Sequence, residues 1–175
     1  VVTYGSPPSP SLAKGLCGEK YKCIVRELNR LCLLYNRKNE ASFLVSHSLK
    51  LLPKPSIVVS YADTSMNHNG YVYQATNFIY TGVSKKRSEW RLKGSSKHSK
   101  TLCEQVPLEI RLSNPDKYEF ANRPQKHRYV YFVASKKDKK QLIKSLNYPI
   151  EDYPKNKNIN YVAEHKPTTQ MNMFS

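Results

Sequence analysis

The 175-residue chain is long enough to bury one core of ordinary size, and no stretch reaches the ~20 apolar residues of a membrane-spanning helix. Its 29 Lys+Arg against 13 Asp+Glu give a formal net charge of +16, which repels basic partners and concentrates polyanions. The excess is uneven, with 9 basic and 4 acidic residues in 1–82 but 19 and 8 in 83–157, so nucleic acid is favoured ahead of an acidic protein, a ribosomal surface or a merely solvated basic face.

Val1–Gly5 reads as a strand. Pro7, Pro8 and Pro10 then exclude a hydrogen-bonded ladder, and Leu12–Lys22, with two glycines, reads as loop. Cys23–Leu34 is ambiguous: Ile24, Leu28 and Leu31 fit a helical stripe, whereas Asn29 and Arg30 before Leu31–Leu34 suit a bulged strand. After the polar turn Asn36–Asn39, a helix is expected over Ala41–Leu52, capped by Asn39 or Ser42 and ended by Pro53-Lys54-Pro55. Ile57-Val58-Val59 opens a buried strand. The polar break Asp63–Asn67 follows, then a short amphipathic segment and a second strand, Phe78–Thr81. Glu89–Leu92 reads as a strand, Lys93–Lys100 as a mobile basic loop, and 107–126 as irregular. Arg128–Val133 is a further strand, and Lys136–Leu146 an amphipathic helix with five lysines outward. From Tyr148 on, prolines, asparagines and lysines suggest a poorly packed tail. Cys17, Cys23, Cys32 and Cys103 form no Cys-x-x-Cys pair, so reduced thiols are expected and nothing argues for a metal.

The strand–turn–helix–strand unit Ser56–Gly82 resembles the end of the acyl-CoA N-acyltransferase (GNAT-like) fold. There a short helix ending in Tyr-x-x-x-Gly-Phe sets a tyrosine beside a thiolester sulfur; the match is Tyr73-Gln74-Ala75-Thr76-Asn77-Phe78, with Asn77 in place of Gly. Asn tolerates positive φ, so the helix can still end in a left-handed residue. Ser60-Tyr61-Ala62-Asp63, His68-x-Gly70 and Tyr73 to Gly82 are similar to the signature block of the phage Mom family of DNA-modification proteins, and the likeness extends to Glu27–Leu31 and Asn39–Phe43. It implies an α/β, GNAT-like mixed sheet flanked by helices, with a catalytic domain over 1–150 and the poorly packed tail over 151–175. Because Val1 enters mid-strand, the chain is expected to lack that fold's N-terminal strands and helices. The resemblance favours a strand for Cys23–Leu34. It further implies modification of adenine N6 in double-stranded DNA by a carbamoylmethyl- or methylcarbamoyl-type group that shields phage DNA from restriction, in the host cytoplasm, with an acyl-CoA donor.

The candidate catalytic residues are Asp63, Tyr73, His68 and Glu27. Adenine N6 is a poor nucleophile, its lone pair delocalised into the ring, so acyl transfer to it needs a carboxylate base or tight positioning. Asp63, at the end of its strand, is the first choice for that base; an Asx turn or helix cap is its structural alternative. Glu27 is the second choice. Tyr73 is the proton donor to a departing thiolate, or else a core tyrosine. His68 pairs with Asp63 or contacts the base, with Gly70 allowing close backbone approach.

In the family's pyrophosphate loop, Arg37, Lys38, Asn39, Ala41 and Ser42 are the cofactor-binding candidates, with Asn77 after the short helix. Glu40, where the fold carries Gly, sets a carboxylate near the pyrophosphate, and a plain helix cap is the equal alternative. Lys85, Lys86, Arg87, Arg91, Lys93, Lys97, Lys126 and Arg128 are the DNA-binding candidates, accompanied by Lys100 and His127, with Trp90, Tyr118, Tyr129 and Tyr131 available to stack on an extruded base. Two other functions stay open: a conventional acyl-CoA N-acyltransferase acting on a protein or small amine, and a non-catalytic basic DNA-binding module.

Overall fold

The computed structural model describes residues 1–95 and 99–155. They divide into two compact units, one of residues 1–83 with 126 onward, the other Ser84–Gln125.

In the first unit, β1 (Val2–Gly5) is followed by α1 (Pro10–Cys17), in the segment expected as loop. Ser9 caps this helix by accepting the Leu12 N–H at 3.3 Å, and Pro10 takes the first helical position, where a missing N–H costs nothing. A 3-10 turn, Glu19–Ile24, leads into β2 (Val25–Leu31), which resolves the ambiguous segment as a strand. Its register against β1 skips Asn29, the bulge that the sequence suggests. Next come α2 (Glu40–Lys50), β3 (Ser56–Asp63), α3 (Tyr71–Ala75) and β4 (Ile79–Val83). Asn77 adopts φ 59, the left-handed end expected for α3, and the Phe78 N–H closes back on the Tyr73 carbonyl at 2.9 Å.

The second unit pairs β5 (Arg87–Leu92) antiparallel with β6 (Tyr118–Arg123) and carries α4 (Ser99–Gln105) and α5 (Leu108–Ser113) between them. The stretch expected to be irregular thus contains a helix and a strand. Trp90 packs on Phe120 with ring centroids 5.4 Å apart, and the buried Arg111 lies over Trp90 and donates to Cys103 Sγ at 3.0 Å.

The chain returns to the first unit as β7 (Lys126–Val133), followed by α6 (Lys136–Lys144). The main sheet has the order β1-β2-β3-β7-β4; β2 and β3 are parallel, and the other neighbours antiparallel. One face buries Leu16, Ile57, Val59, Val130, Phe132 and Leu142 under α1 and α6. The other buries Val45, Leu49, Val58, Phe78 and Tyr129 under α2 and α3. Of the expected tail, residues 151–155 are described: the Glu151 N–H donates to the Tyr80 carbonyl at 3.0 Å, and Tyr153 Oη to the Phe78 carbonyl at 2.6 Å, covering the β4 edge.

Candidate active site

The parallel ladder between β2 and β3 holds three residue pairs and ends at Glu27↔Val59, although β2 runs on to Leu31 and β3 to Asp63. Beyond Glu27 the two strands follow different partners, β2 pairing with β1 and β3 with β7. The result is a wedge in the middle of the sheet. Ser60, a buried hydroxyl of β3, spans its throat and donates to the Leu28 carbonyl at 2.9 Å.

Glu27 stands at the apex of this wedge, half-buried. Burial pushes its carboxyl above the ordinary carboxylate range, and the Lys126 charge offsets part of that rise. Tyr73 approaches from α3. Its ring packs against Phe78 (5.3 Å) and Tyr129 (5.2 Å), and burial raises its hydroxyl; a hydrogen bond with Ser60 opposes the rise and the Glu27 charge adds to it. Burial thus biases the Glu27 carboxyl toward holding a proton and the Tyr73 phenol toward keeping its own. Glu27, opposite Val59, belongs to the α1/α6 face of the sheet and Tyr73 to the α2/α3 face, and the two sense each other by charge. Tyr4, whose hydroxyl burial also raises, bonds Ser48 Oγ at 2.6 Å on the same face as Tyr73.

Asp63 ends β3 in a different role. Its Oδ1 accepts the Ser65 N–H at 3.0 Å and the Ser65 hydroxyl at 2.7 Å, capping the 3-10 turn Thr64–Met66. Its Oδ2 lies 3.5 Å from Lys126 Nζ. Burial pulls the carboxyl upward, but the Ser65 and Lys126 contacts outweigh it and hold the group below its usual range. Lys126 thus pairs with Asp63 and its charge also reaches Glu27, whereas Tyr73 is tied to Ser60 and senses Glu27 by charge. His68 stays apart: it is exposed, and it meets Asp63 through its backbone N–H, at 3.2 Å from the Asp63 carbonyl. Gly70 lies tight against Tyr129, whose hydroxyl donates to the Asn69 carbonyl. Burial pushes that hydroxyl up to about 12.

The cofactor candidates fall into two places. Arg37 to Ser42 form the loop into α2. There Asn39 takes φ 64, Ser42 Oγ donates to the Asn39 carbonyl at 3.0 Å, and the Arg37 guanidinium lies 4.8 Å from the Tyr35 ring centroid. Lys38 is exposed and Ala41 part-buried. The Glu40 carboxylate accepts the Arg37 backbone N–H at 2.7 Å, so an acid already holds a donor that a pyrophosphate would use. The loop as built does not fit a pyrophosphate. Asn77 is elsewhere, in a groove shared with Lys50 at the far end of α2, about 16 Å along that helix.

The DNA candidates divide as well. Lys85, Lys86, Arg87 and Lys93 are exposed on the second unit, whereas Arg91 pairs with Glu89 at 3.1 Å; Lys97 lies outside the described residues. Lys126 is tied to Asp63. Arg128 is 9% exposed, with Nε and Nη2 each 2.8 Å from Thr81 oxygens and its guanidinium 3.4 Å from the Tyr148 ring centroid. Arg128 is thus a core arginine rather than a phosphate contact. Ser60, Tyr4 and Ser48 carry no site role in the sequence reading. Ser60, which ends the apolar run Ile57-Val58-Val59, was the one available signal, since a buried hydroxyl must find a partner.

Among the described residues no group of His, Cys, Asp or Glu could hold a metal ion, and no helix is long and apolar enough to cross a membrane. The family model described as the Mom protein family matches residues 1–155. No curated protein matches the chain.

Proposed function

The chain belongs to the Mom protein family, whose members serve phage DNA modification, and from that premise we propose that the β2/β3 wedge transfers an acyl-type group to adenine N6 in DNA. The observation that carries this reading is the end of the parallel ladder at Glu27, a half-buried carboxyl whose charge reaches Tyr73. The strand order, with one parallel pair that opens and a helix entering after each of its two strands, also supports a GNAT-like acyltransferase.

In this mechanism an extruded adenine presents N6 to the wedge. N6 attacks the carbonyl carbon of the donor, a C–N bond forms, and the bond from that carbon to its carrier breaks. Glu27 accepts the proton that N6 loses, a task suited to a carboxylate whose basicity burial has raised. Tyr73 supplies a proton to the leaving group and recovers one from solvent. Ser60 holds Tyr73 in place, and the Asp63–Lys126 pair fixes the Lys126 charge beside Glu27. In the sequence reading Asp63 precedes Glu27 as base; its capping role and lowered pKa now favour Glu27.

The donor is held by its acyl end in the wedge, because the Arg37–Ser42 loop offers a pyrophosphate no empty cradle. A methylcarbamoyl-type group follows from the family resemblance. A non-catalytic DNA-binding module is the second reading, and Glu40 is its support.

The test is nucleoside mass spectrometry of digested DNA from bacteria expressing the chain, its Glu27→Gln variant or its Tyr73→Phe variant. A heavier deoxyadenosine species that Glu27→Gln abolishes is the expected result. Its absence with well-folded wild-type protein would overturn the enzymatic reading in favour of the binding module.

A further inference from the structure

The first unit carries a second basic feature, away from the wedge. Ser56↔Val133 and Asp63↔Lys126 mark opposite ends of the β3/β7 ladder, about 23 Å apart at ~3.3 Å per residue. Lys126 lies at the Asp63 end and Glu27 midway, opposite Val59; α6 begins at the other end, with two residues between it and β7.

Five of the nine residues of α6 are lysines: Lys136, Lys137, Lys139, Lys140 and Lys144. The sole acid, Asp138, is consumed by the helix cap: its N–H donates to Ser135 Oγ at 3.2 Å, and Ser135 Oγ donates to its carboxylate at 2.6 Å. None of the five lysines has a carboxylate partner among the described residues. Lys136, Lys140 and Lys144 succeed one another at i, i+4 spacing, so like charges stand roughly 6 Å apart along one face, an arrangement that weakens a helix. Burial of Leu142 holds α6 to the sheet regardless. The helix exposes no aromatic or large aliphatic side chain of the kind that an interfacial helix sinks into a lipid surface.

Beside it, a groove of about 320 Å³ runs between α6, the end of α2 and the end of α3, bordered by Lys50, Lys54, Asn77 and Lys139, with Tyr131 on its floor. Lys139 Nζ lies 5.6 Å from the Tyr131 ring centroid. A row of unneutralised cations that ends in a cationic groove suits a run of phosphates, each of which relieves the lysines' mutual repulsion.

We propose that the lysine face of α6 and the adjoining groove form an exosite for the phosphate backbone of duplex DNA. This surface rests on the DNA reading above and deepens it: it binds sequence-independently at a distance from the base being modified, and holds the enzyme on its substrate between encounters.

The test is fluorescence anisotropy of a labelled 20-base-pair duplex with the full chain between 50 and 200 mM salt. Wild type is compared with a variant carrying Lys136→Gln, Lys137→Gln, Lys140→Gln and Lys144→Gln. A second variant, with Lys14, Lys20, Lys22 and Lys155 changed to Gln, loses the same charge elsewhere. The exosite variant is expected to bind at least about tenfold more weakly than this control, and its log K against log salt slope to flatten by about 2–4, at ~0.9 per lost phosphate contact. Equal affinity and slope in the two variants would overturn the exosite. So would tighter binding of wild type to phosphatidylserine vesicles than to the duplex. Modified deoxyadenosine, measured in parallel, separates the two ideas: its formation by wild type with unchanged slopes removes the exosite alone, whereas lost slope without any modified nucleoside removes the enzymatic reading alone.

Discussion

The Glu40 carboxylate accepts the Arg37 backbone N–H at 2.7 Å across the loop that opens α2. The first turn of a helix favours an anion, and here the chain supplies its own. Glu40→Gly is expected to free this donor and remove the repelling charge. Affinity for coenzyme A, read by titration calorimetry, should rise about tenfold or more, the scale of one charge-assisted hydrogen bond at roughly 1.5–3 kcal/mol. Equal coenzyme A affinity in the two proteins would show that the loop takes no part in donor selection.

Glu27 gives the activity its acid limb. As a base it works deprotonated, and burial raises its pKa, so the rate should climb as pH passes through a value above the ordinary carboxylate range. Tyr73 works protonated, and its pKa is raised above 10, so the alkaline limb falls outside the neutral range. The stability consequence has the opposite sense to that of a salt-bridged acid. A raised folded-state pKa contributes stability that is full below the unfolded value of about 4.3 and is lost as pH rises through the folded value. Glu27→Gln should therefore gain thermal stability relative to wild type at pH 7.5 but not at pH 3.5, while losing activity at pH 7.5, where the wild-type base is deprotonated. A Tm difference independent of pH would show that Glu27 is not desolvated in the folded protein.

Asp63 separates capping from catalysis. Asparagine also accepts from the Ser65 N–H, so Asp63→Asn should keep most of the cap, whereas Asp63→Ala should lose about 0.5–2 kcal/mol. Because the Asp63 pKa is lowered, its contribution is present above the unfolded carboxylate pKa and lost as pH falls through the folded value. If Asp63→Asn abolishes modification while its urea midpoint matches wild type, the carboxylate has a chemical role beyond the cap.

The sequence made most of the sheet legible, because its strands carry strong local signals: Ile57-Val58-Val59 is uniformly apolar, and Arg128–Val133 is rich in β-branched and aromatic residues. The first helix was missed because Gly15 and Gly18 weighed against it. Gly18, at φ 86, ends the helix, and Gly15 lies within it where an added Cβ would stand 3.1 Å from the Tyr148 hydroxyl. The strand Tyr118–Arg123 was missed since its identity depends on pairing with Arg87–Leu92, a tertiary fact. Tyr73, Asp63 and Glu27 were readable as candidates from a motif. Which carboxylate suits a base was not, since burial of Glu27 and capping by Asp63 are set by the fold. Lys126 and Arg128 sit in a basic run that looks like surface. Their partners, Asp63 and Thr81, arrive on neighbouring strands and turn both side chains to structural use.

Gly70 offers the sharpest test of how α3 is seated. It adopts φ 70, and a Cβ there would stand 2.4 Å from Cε2 of the Tyr129 ring, a distance that real side chains do not reach. Tyr129 cannot yield easily. Its ring is wholly buried between Tyr73 and Tyr80, and its hydroxyl is bound to the Asn69 carbonyl and approached by Gln74 Nε2 at 3.2 Å. Gly70→Ala must therefore move α3, which carries Tyr73, rather than the ring. Left-handed strain of about 1 kcal/mol and overpacking of roughly 1–3 kcal/mol together predict a loss of about 2–4 kcal/mol in urea unfolding. Tyr129→Phe removes the hydroxyl and leaves the ring, so it should not rescue Gly70→Ala; Tyr129→Leu, which removes the crowding edge, should restore part of the loss. A Gly70→Ala protein as stable as wild type would mean that α3 has room to shift, and that the position of Tyr73 at the wedge is not fixed by this contact.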